Sequence, residues 1–116
     1  MDQAVILSTA RTPIGKAYRG TFNDTDAPTL ASFSIKASID KAGLDPSEIE
    51  DVILGAAVQQ GSQGYNIGRL SAVSSGLPIH VPGMSVDRQC ASGLMAIAIG
   101  AKQIACKEMD VVVGGG

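Results

Sequence analysis

A chain of 116 residues has room for one domain rather than two. Its formal net charge of −2, with no basic block, offers a phosphate backbone nothing to bind, so nucleic acid is excluded as a partner. Hydrophobic residues make up 45% and aromatic ones 3%, which predicts closely packed aliphatic layers, while charged residues, at 17%, fall below the usual quarter and predict a surface partly covered by other protein.

The opening Met1-Asp2-Gln3-Ala4-Val5-Ile6-Leu7 has no basic leader, and its apolar run is too short for a signal peptide or a membrane span. A cytoplasmic protein with no membrane partner is therefore expected. Within that run Val5-Ile6-Leu7 reads as a buried strand, ended by Ser8-Thr9-Ala10-Arg11-Thr12-Pro13. Gly15, Gly20 and Asn23-Asp24 keep the next stretch irregular. Asp26 suits an N-cap with Pro28 in the first turn, and apolar residues from Leu30 to Ala42 predict a helix closed by Gly43. Pro46 to Glu50 reads as one helical turn, and Val52-Ile53-Leu54-Gly55 as a second buried strand.

Gly61 to Gly68 reads as a loop and Arg69 to Ser75 as a short helix stopped by Gly76. Pro78 and Pro82 enclose an extended segment, Met84-Ser85-Val86 forms a third strand, Leu94 to Ile104 a helix, and Val111-Val112-Val113 a fourth strand. Strands alternating with helices place the chain in the α/β class with a mostly parallel sheet.

Asp87-Arg88-Gln89-Cys90-Ala91-Ser92-Gly93 follows a strand and opens a helix, which sets Cys90 beside the unpaired amides of a first helical turn. A helix end favours a thiolate over a thiol, but by roughly 0.3–1 kcal/mol, less than one pKa unit at about 1.4 kcal/mol. A general base must therefore complete such a site. The helix itself is apolar on every side from Leu94 to Ala101, so it is expected to be buried on every side, between two sheets. The strands of this chain furnish one sheet only, and an apolar strip along Leu94 to Ile104 is expected to lie open. Two cysteines, one histidine and the lack of CxxC or HxxxH spacing support neither a disulfide framework nor a metal site.

Val86-Asp87-Arg88-Gln89-Cys90-Ala91-Ser92-Gly93 resembles the nucleophile motif of the thiolases. Ala10-Arg11-Thr12-Pro13-Ile14-Gly15, Gly64-Tyr65-Asn66-Ile67-Gly68-Arg69 and Val111-Val112-Val113-Gly114-Gly115-Gly116 agree with that family in order and spacing. The likeness runs the whole length and corresponds to about the first third of a family member. It implies a thiolase-like layered α/β fold, αβαβα when complete, with residues 1–116 as an incomplete amino-terminal domain lacking the loop region and carboxy-terminal domain. It implies an acyl-CoA substrate, no covalently bound cofactor, a place in fatty-acid metabolism, and Cys90 as the catalytic nucleophile that carries the acyl group as a thioester. The backbone amide of Cys90 would help to hold the oxyanion. The family's Gly-His-Pro and Cys-x-Gly segments are absent from this sequence, so the chain alone is expected to be inactive, and no coenzyme A residue is assigned. The resemblance also implies a homodimer or homotetramer paired through the strand near Met84 to Val86.

One departure is Asp87, where many relatives carry Asn; an ion pair with Arg88 or Arg69 is expected to neutralise it. Arg11 is read as a hydrogen-bond anchor in preference to a group near the substrate tunnel, and Asn66 and Arg69 as ties between the long loop and the nucleophile turn. His80, held extended between two prolines, is not expected to act as the base. Cys106 is taken as structural, and the terminal glycines as too poor a match for a phosphate cradle. A ketoacyl synthase using a carrier protein, and a non-catalytic association or folding module, are the alternatives; the Arg11-Thr12-Pro13 loop favours thiolase over the former.

Overall fold

The computed structural model describes residues 3–116. Asp26 opens the first helix, α1 (Ala27–Ala42), by accepting a hydrogen bond from the Thr29 amide at 2.7 Å, and proline within the first turn costs no helical bond. Gly43 ends it in the left-handed region (φ 71°), returning its amide to the carbonyls of Ile39 and Asp40. The predicted turn after it is a 3₁₀ segment, Pro46–Glu48, locked by a reciprocal capping box between Asp45 and Glu48. β1 (Asp51–Gly55) follows it. A 3₁₀ turn, Gly61–Gln63, interrupts the expected loop. Helix α2 then runs Ile67–Ser74, two residues earlier than its apolar pattern implied, because Asn66 caps it. β2 (Gly83–Val86), α3 (Ser92–Ala105) and β3 (Val112–Gly115) complete the chain.

The three strands form one parallel sheet in the order β2-β1-β3, with Ile53 opposite both Met84 and Gly114. Alternation along β1 assigns its side chains to two faces. Val52 and Leu54 join Ile35, Ile39, Ile67, Ala72, Leu77 and Val81 in the core beneath α1 and α2. Ile53, fully buried, faces the opposite way, towards Gly100 of α3. The layers are therefore helices, sheet, helix, as the α/β pattern predicts.

Two expectations are corrected. Val5-Ile6-Leu7 forms no strand, so the sheet has three strands rather than four. The segment runs beside α1 instead of along a sheet edge: the Ser8 hydroxyl donates to the Ser38 carbonyl at 2.5 Å, and the Lys41 ammonium to the Thr9 carbonyl at 3.4 Å. A run aligned with a helix has no ladder to join. Its side chains are 60–77% exposed, so its apolar character is not spent on this core. Nor is α3 enclosed. Only Ser92, Ala96 and Gly100, one small residue per turn, are buried against the sheet, whereas Leu94 is 72% exposed and Ile97 46%. The open apolar strip foreseen for this helix is present.

At the opposite edge Glu50 clasps β1 to β3. Its amide donates to the Val111 carbonyl at 2.9 Å, and its carboxylate accepts from the amides of Val111 (2.9 Å) and Asp110. The Val111 amide, and after it the Asp110 amide, hold this carboxyl below its ordinary value of 4.5. A lowered carboxyl contributes stability above the unfolded-state value and loses it as pH falls towards the folded-state value. Wild-type Tm should therefore fall more steeply below about pH 4.5 than that of Glu50→Gln. Thermal melts at stepped pH check this, and identical acid limbs would remove Glu50 from the account.

Candidate active site

Cys90 occupies the turn Asp87–Ala91 between β2 and α3, one residue before the helix cap, with its thiol exposed. Three features of the sequence hold this turn in place. First, β1 ends in Gly55, and a Cβ there would lie 2.2 Å from the Ser92 backbone carbon and 2.4 Å from the Gly93 nitrogen. Only a glycine lets the first turn of α3 rest on the end of the strand. Second, α2 meets β2 backbone to backbone, since a Cβ on Gly68 would come within 2.1 Å of the Met84 carbonyl oxygen. Third, Asn66 joins the same two elements. Its Oδ1 accepts from the Arg69 amide at 3.1 Å and the Ser85 hydroxyl at 3.2 Å, and its Nδ2 donates to the Gly83 carbonyl at 2.8 Å. The Gly64–Arg69 motif thus fixes the strand that leads into the turn, rather than the turn itself.

Inside the turn nearly every amide is tied. The Gln89 amide donates to Asp87 Oδ1 at 2.9 Å and the Arg88 amide to Ser92 Oγ at 2.8 Å. The amides of Ala91 and Ser92 donate to the carbonyls of Arg88 and Gln89, each at 3.1 Å. Among the described residues the Cys90 amide makes no hydrogen bond, nor do the amides of Gly93 and Leu94. An exposed thiol therefore sits with its own free N–H next to the positive end of a 14-residue helix. Such an arrangement can hold a thiolate and, in the same place, donate to an oxygen that becomes negative.

The expected ion pair of Asp87 is not found. Its carboxylate closes the turn on the Gln89 amide instead, and the Arg69 guanidinium is occupied elsewhere, donating to the carbonyls of Val81 and Ile79. Arg11 makes no hydrogen bond among the described residues, so it is no anchor; with Phe22, Leu30 and Phe33 it lines an apolar cavity of about 400 Å³ beside α1. A second cavity, of about 360 Å³, is lined by Leu54, Gly55, Ile67 and Gly116 among others. Cys90 lines neither. His80 lies not in an extended segment but in a tight turn in which the Val81 amide donates to the Pro78 carbonyl at 3.0 Å; it is exposed and makes no hydrogen bond among the described residues. Cys106, at the far end of α3, is exposed and unpaired. Of the terminal glycines, Gly114 packs on α3, where a Cβ would stand 3.1 Å from the Ile97 Cα, and Gly116 lies against β1, where a Cβ would stand 2.5 Å from the Gly55 carbonyl oxygen. No cluster of three His, Cys, Asp or Glu side chains converges among the described residues, and no helix there is long and apolar enough to cross a membrane. Ser92 is the site residue that the nucleophile motif alone does not single out. Its signal was an alanine at the cap position, which cannot cap, followed at once by a hydroxyl.

Residues 4–116 match the family description "Thiolase, N-terminal domain". The chain belongs to the thiolases. It is 39% identical over all 116 residues to the acetyl-CoA acetyltransferase of Cupriavidus necator and 38% to the 3-ketoacyl-CoA thiolase of Bacillus subtilis. Identity to the mitochondrial acetyl-CoA acetyltransferase of Danio rerio is 35%. The chain is covered completely in each case and spans 27–30% of those relatives' length. The parallel sheet with helices on both faces is thus the amino-terminal portion of a thiolase fold, and the thiolase match displaces the ketoacyl-synthase alternative.

Proposed function

We propose that this protein is a thiolase-type acyltransferase in which Cys90 accepts an acyl group from a coenzyme A thioester, so that a 3-ketoacyl-CoA is formed or thiolytically cleaved. The observation that carries this reading is the exposed Cys90 thiol beside its own unpartnered amide, in a turn where the amides of Arg88, Gln89 and Ala91 are bound. In the first step the Cys90 thiolate attacks the thioester carbonyl carbon, and a bond from that carbon to Cys90 Sγ forms. The bond to the coenzyme A sulfur breaks, and coenzyme A leaves as a thiolate that takes up the proton a base removed from Cys90. The carbonyl oxygen is negative in between, and the Cys90 N–H is placed to donate to it.

The base is not supplied by the turn. Its groups are Asp87, Arg88, Gln89 and Ser92, and the lone histidine, His80, belongs to another turn. The 116 residues alone are therefore expected to lack turnover, and the base and the walls of an acyl pocket come from a chain of the relatives' length. The half-buried edge strand β2 suits pairing of two copies through Met84 to Val86, a homodimer or homotetramer that sedimentation would reveal and that a monomer at all concentrations would exclude. The central test is direct. Full-length protein is mixed with acetyl-CoA, quenched in acid and digested, and the acetyl group is located by peptide mass spectrometry. It is expected on Cys90; acetyl transfer confined to Cys106 or to lysines would overturn the reading.

A further inference from the structure

We infer that Ser92 is a positioning residue for Cys90, an inference that rests on the acyl-transfer reading above. The problem it solves is visible in the backbone. Gln89, immediately before Cys90, has φ 51°, the left-handed region that a side-chain-bearing residue occupies at a cost of roughly 1–2 kcal/mol. Nothing about glutamine favours that conformation, so the surroundings must impose it.

Ser92 does so from the first position of α3. Its hydroxyl donates to the Gln89 carbonyl at 2.6 Å and accepts from the Arg88 amide at 2.8 Å, spanning the left-handed residue from both sides. The side chain is 4% exposed, so water does not compete for these bonds. The helix cap, Ala91, has no side-chain hydrogen bond of its own, and Ser92 is not acting as a cap either, since both of its bonds run backwards into the turn. Asp87 adds one further clamp through the Gln89 amide. Together they bind the peptide groups on either side of Gln89, while the Cys90 amide makes no hydrogen bond among the described residues. Without the Ser92 hydroxyl the Arg88 amide and one bond to the Gln89 carbonyl are released. Gln89 is then free to relax to negative φ, which re-aims the Cys90 thiol and its N–H together.

The experiment compares wild type, Ser92→Ala and Ser92→Thr as full-length proteins. It reads single-turnover acetylation of Cys90 from acetyl-CoA, carbamidomethylation of Cys90 relative to Cys106 in the same molecule, and Tm. For Ser92→Ala, the acetylation rate at saturating acetyl-CoA should fall on the order of 10–100-fold, the loss expected of a nucleophile displaced by about 1 Å. The concentration for half-saturation should stay within about twofold, the labelling ratio of Cys90 to Cys106 should change, and Cys106 itself should label as before. Ser92→Thr, which keeps the hydroxyl, should recover most of the rate. Should the threonine methyl not fit against β1, a cycle of Ser92→Ala with Gln89→Gly replaces it: glycine accepts positive φ unaided, so the alanine effect should shrink to a few-fold in that background. Wild-type acetylation of Cys90 by Ser92→Ala would overturn the inference while leaving the function standing. So would a rate loss that merely tracks the unfolded fraction, with Cys106 labelling rising in step. Absence of acetyl-Cys90 in the wild type would overturn the acyl-transfer reading, and the positioning role with it.

Discussion

Cys90→Ala in the full-length protein lowers kcat/KM for 3-ketoacyl-CoA thiolysis on the order of 10⁴-fold or more, about 5.5 kcal/mol of lost transition-state stabilisation. The size follows from the proposed chemistry. Removing the sulfur deletes the covalent route, and neither a free amide nor substrate binding replaces a bond that no longer forms. Cys106 provides the contrast. It lies at the other end of α3, and a helix of 14 residues is about 21 Å long, so its thiol is remote from the turn. Cys106→Ala should stay within about twofold of wild type. Steady-state thiolysis of acetoacetyl-CoA by the three proteins, with circular dichroism to establish equal folding, makes the comparison. An alanine variant at position 90 that retained a tenth of the wild-type rate would exclude a thioester on that side chain. Equal losses at both positions would point to a general effect of altering α3.

What could be read in the sequence was whatever local chemistry decides. The α1 boundaries followed from Asp26 and Gly43, a side-chain cap and a left-handed stop, and both residues act as their types require. The strand before Cys90 and the helix after it were legible for the same reason: a short β-branched or apolar run, then glycine and small residues. Val5-Ile6-Leu7 was misread because periodicity reports how apolar a segment is and not which surface covers it. The same limit applies to α3. Its uniform apolar character gave the correct open strip but not the burial on every face, because burial needs neighbours this chain does not bring to Leu94 and Ile97. At the site, the type of residue at position 90 was plain. The partners of Asp87 and Arg69 were not, since each is decided by a competition between a charged group and nearby backbone groups. Backbone amides and carbonyls lie within two residues of Asp87 and along the 79–81 turn beside Arg69, and these outcompete a second flexible side chain. The burial of Ser92 and its two hydrogen bonds to the turn go with the left-handed Gln89, which no residue preference announces.

Gly55→Ala should be strongly destabilising, because the atoms it meets cannot move alone. The new Cβ would fall 2.2 Å from the Ser92 carbon and 2.4 Å from both the Gly93 nitrogen and the Ser92 oxygen. Comfortable carbon contacts begin near 3.5 Å, so the backbone of α3 must retreat by roughly 1 Å or β1 must distort. Overpacking of side chains against side chains costs about 1–3 kcal/mol, and a clash with main chain belongs at or beyond the top of that range. For a domain of this size the loss corresponds to a Tm lowered on the order of 10–20 °C. Position 115 isolates the cause. Gly115 pairs with Leu54 in the adjacent strand, and a Cβ there would meet only the flexible end of Leu54 at 4.0 Å, so Gly115→Ala should lower Tm by no more than a few degrees. Where Gly55→Ala still folds, the helix start carries Ser92 with it, and the labelling ratio of Cys90 to Cys106 should shift in the direction seen for Ser92→Ala. Melting curves and paired thiol labelling on the two glycine variants decide the matter. Equal stability of the two variants would mean that α3 does not rest on the end of β1 as closely as these distances require, and the strand would then have no part in holding the turn.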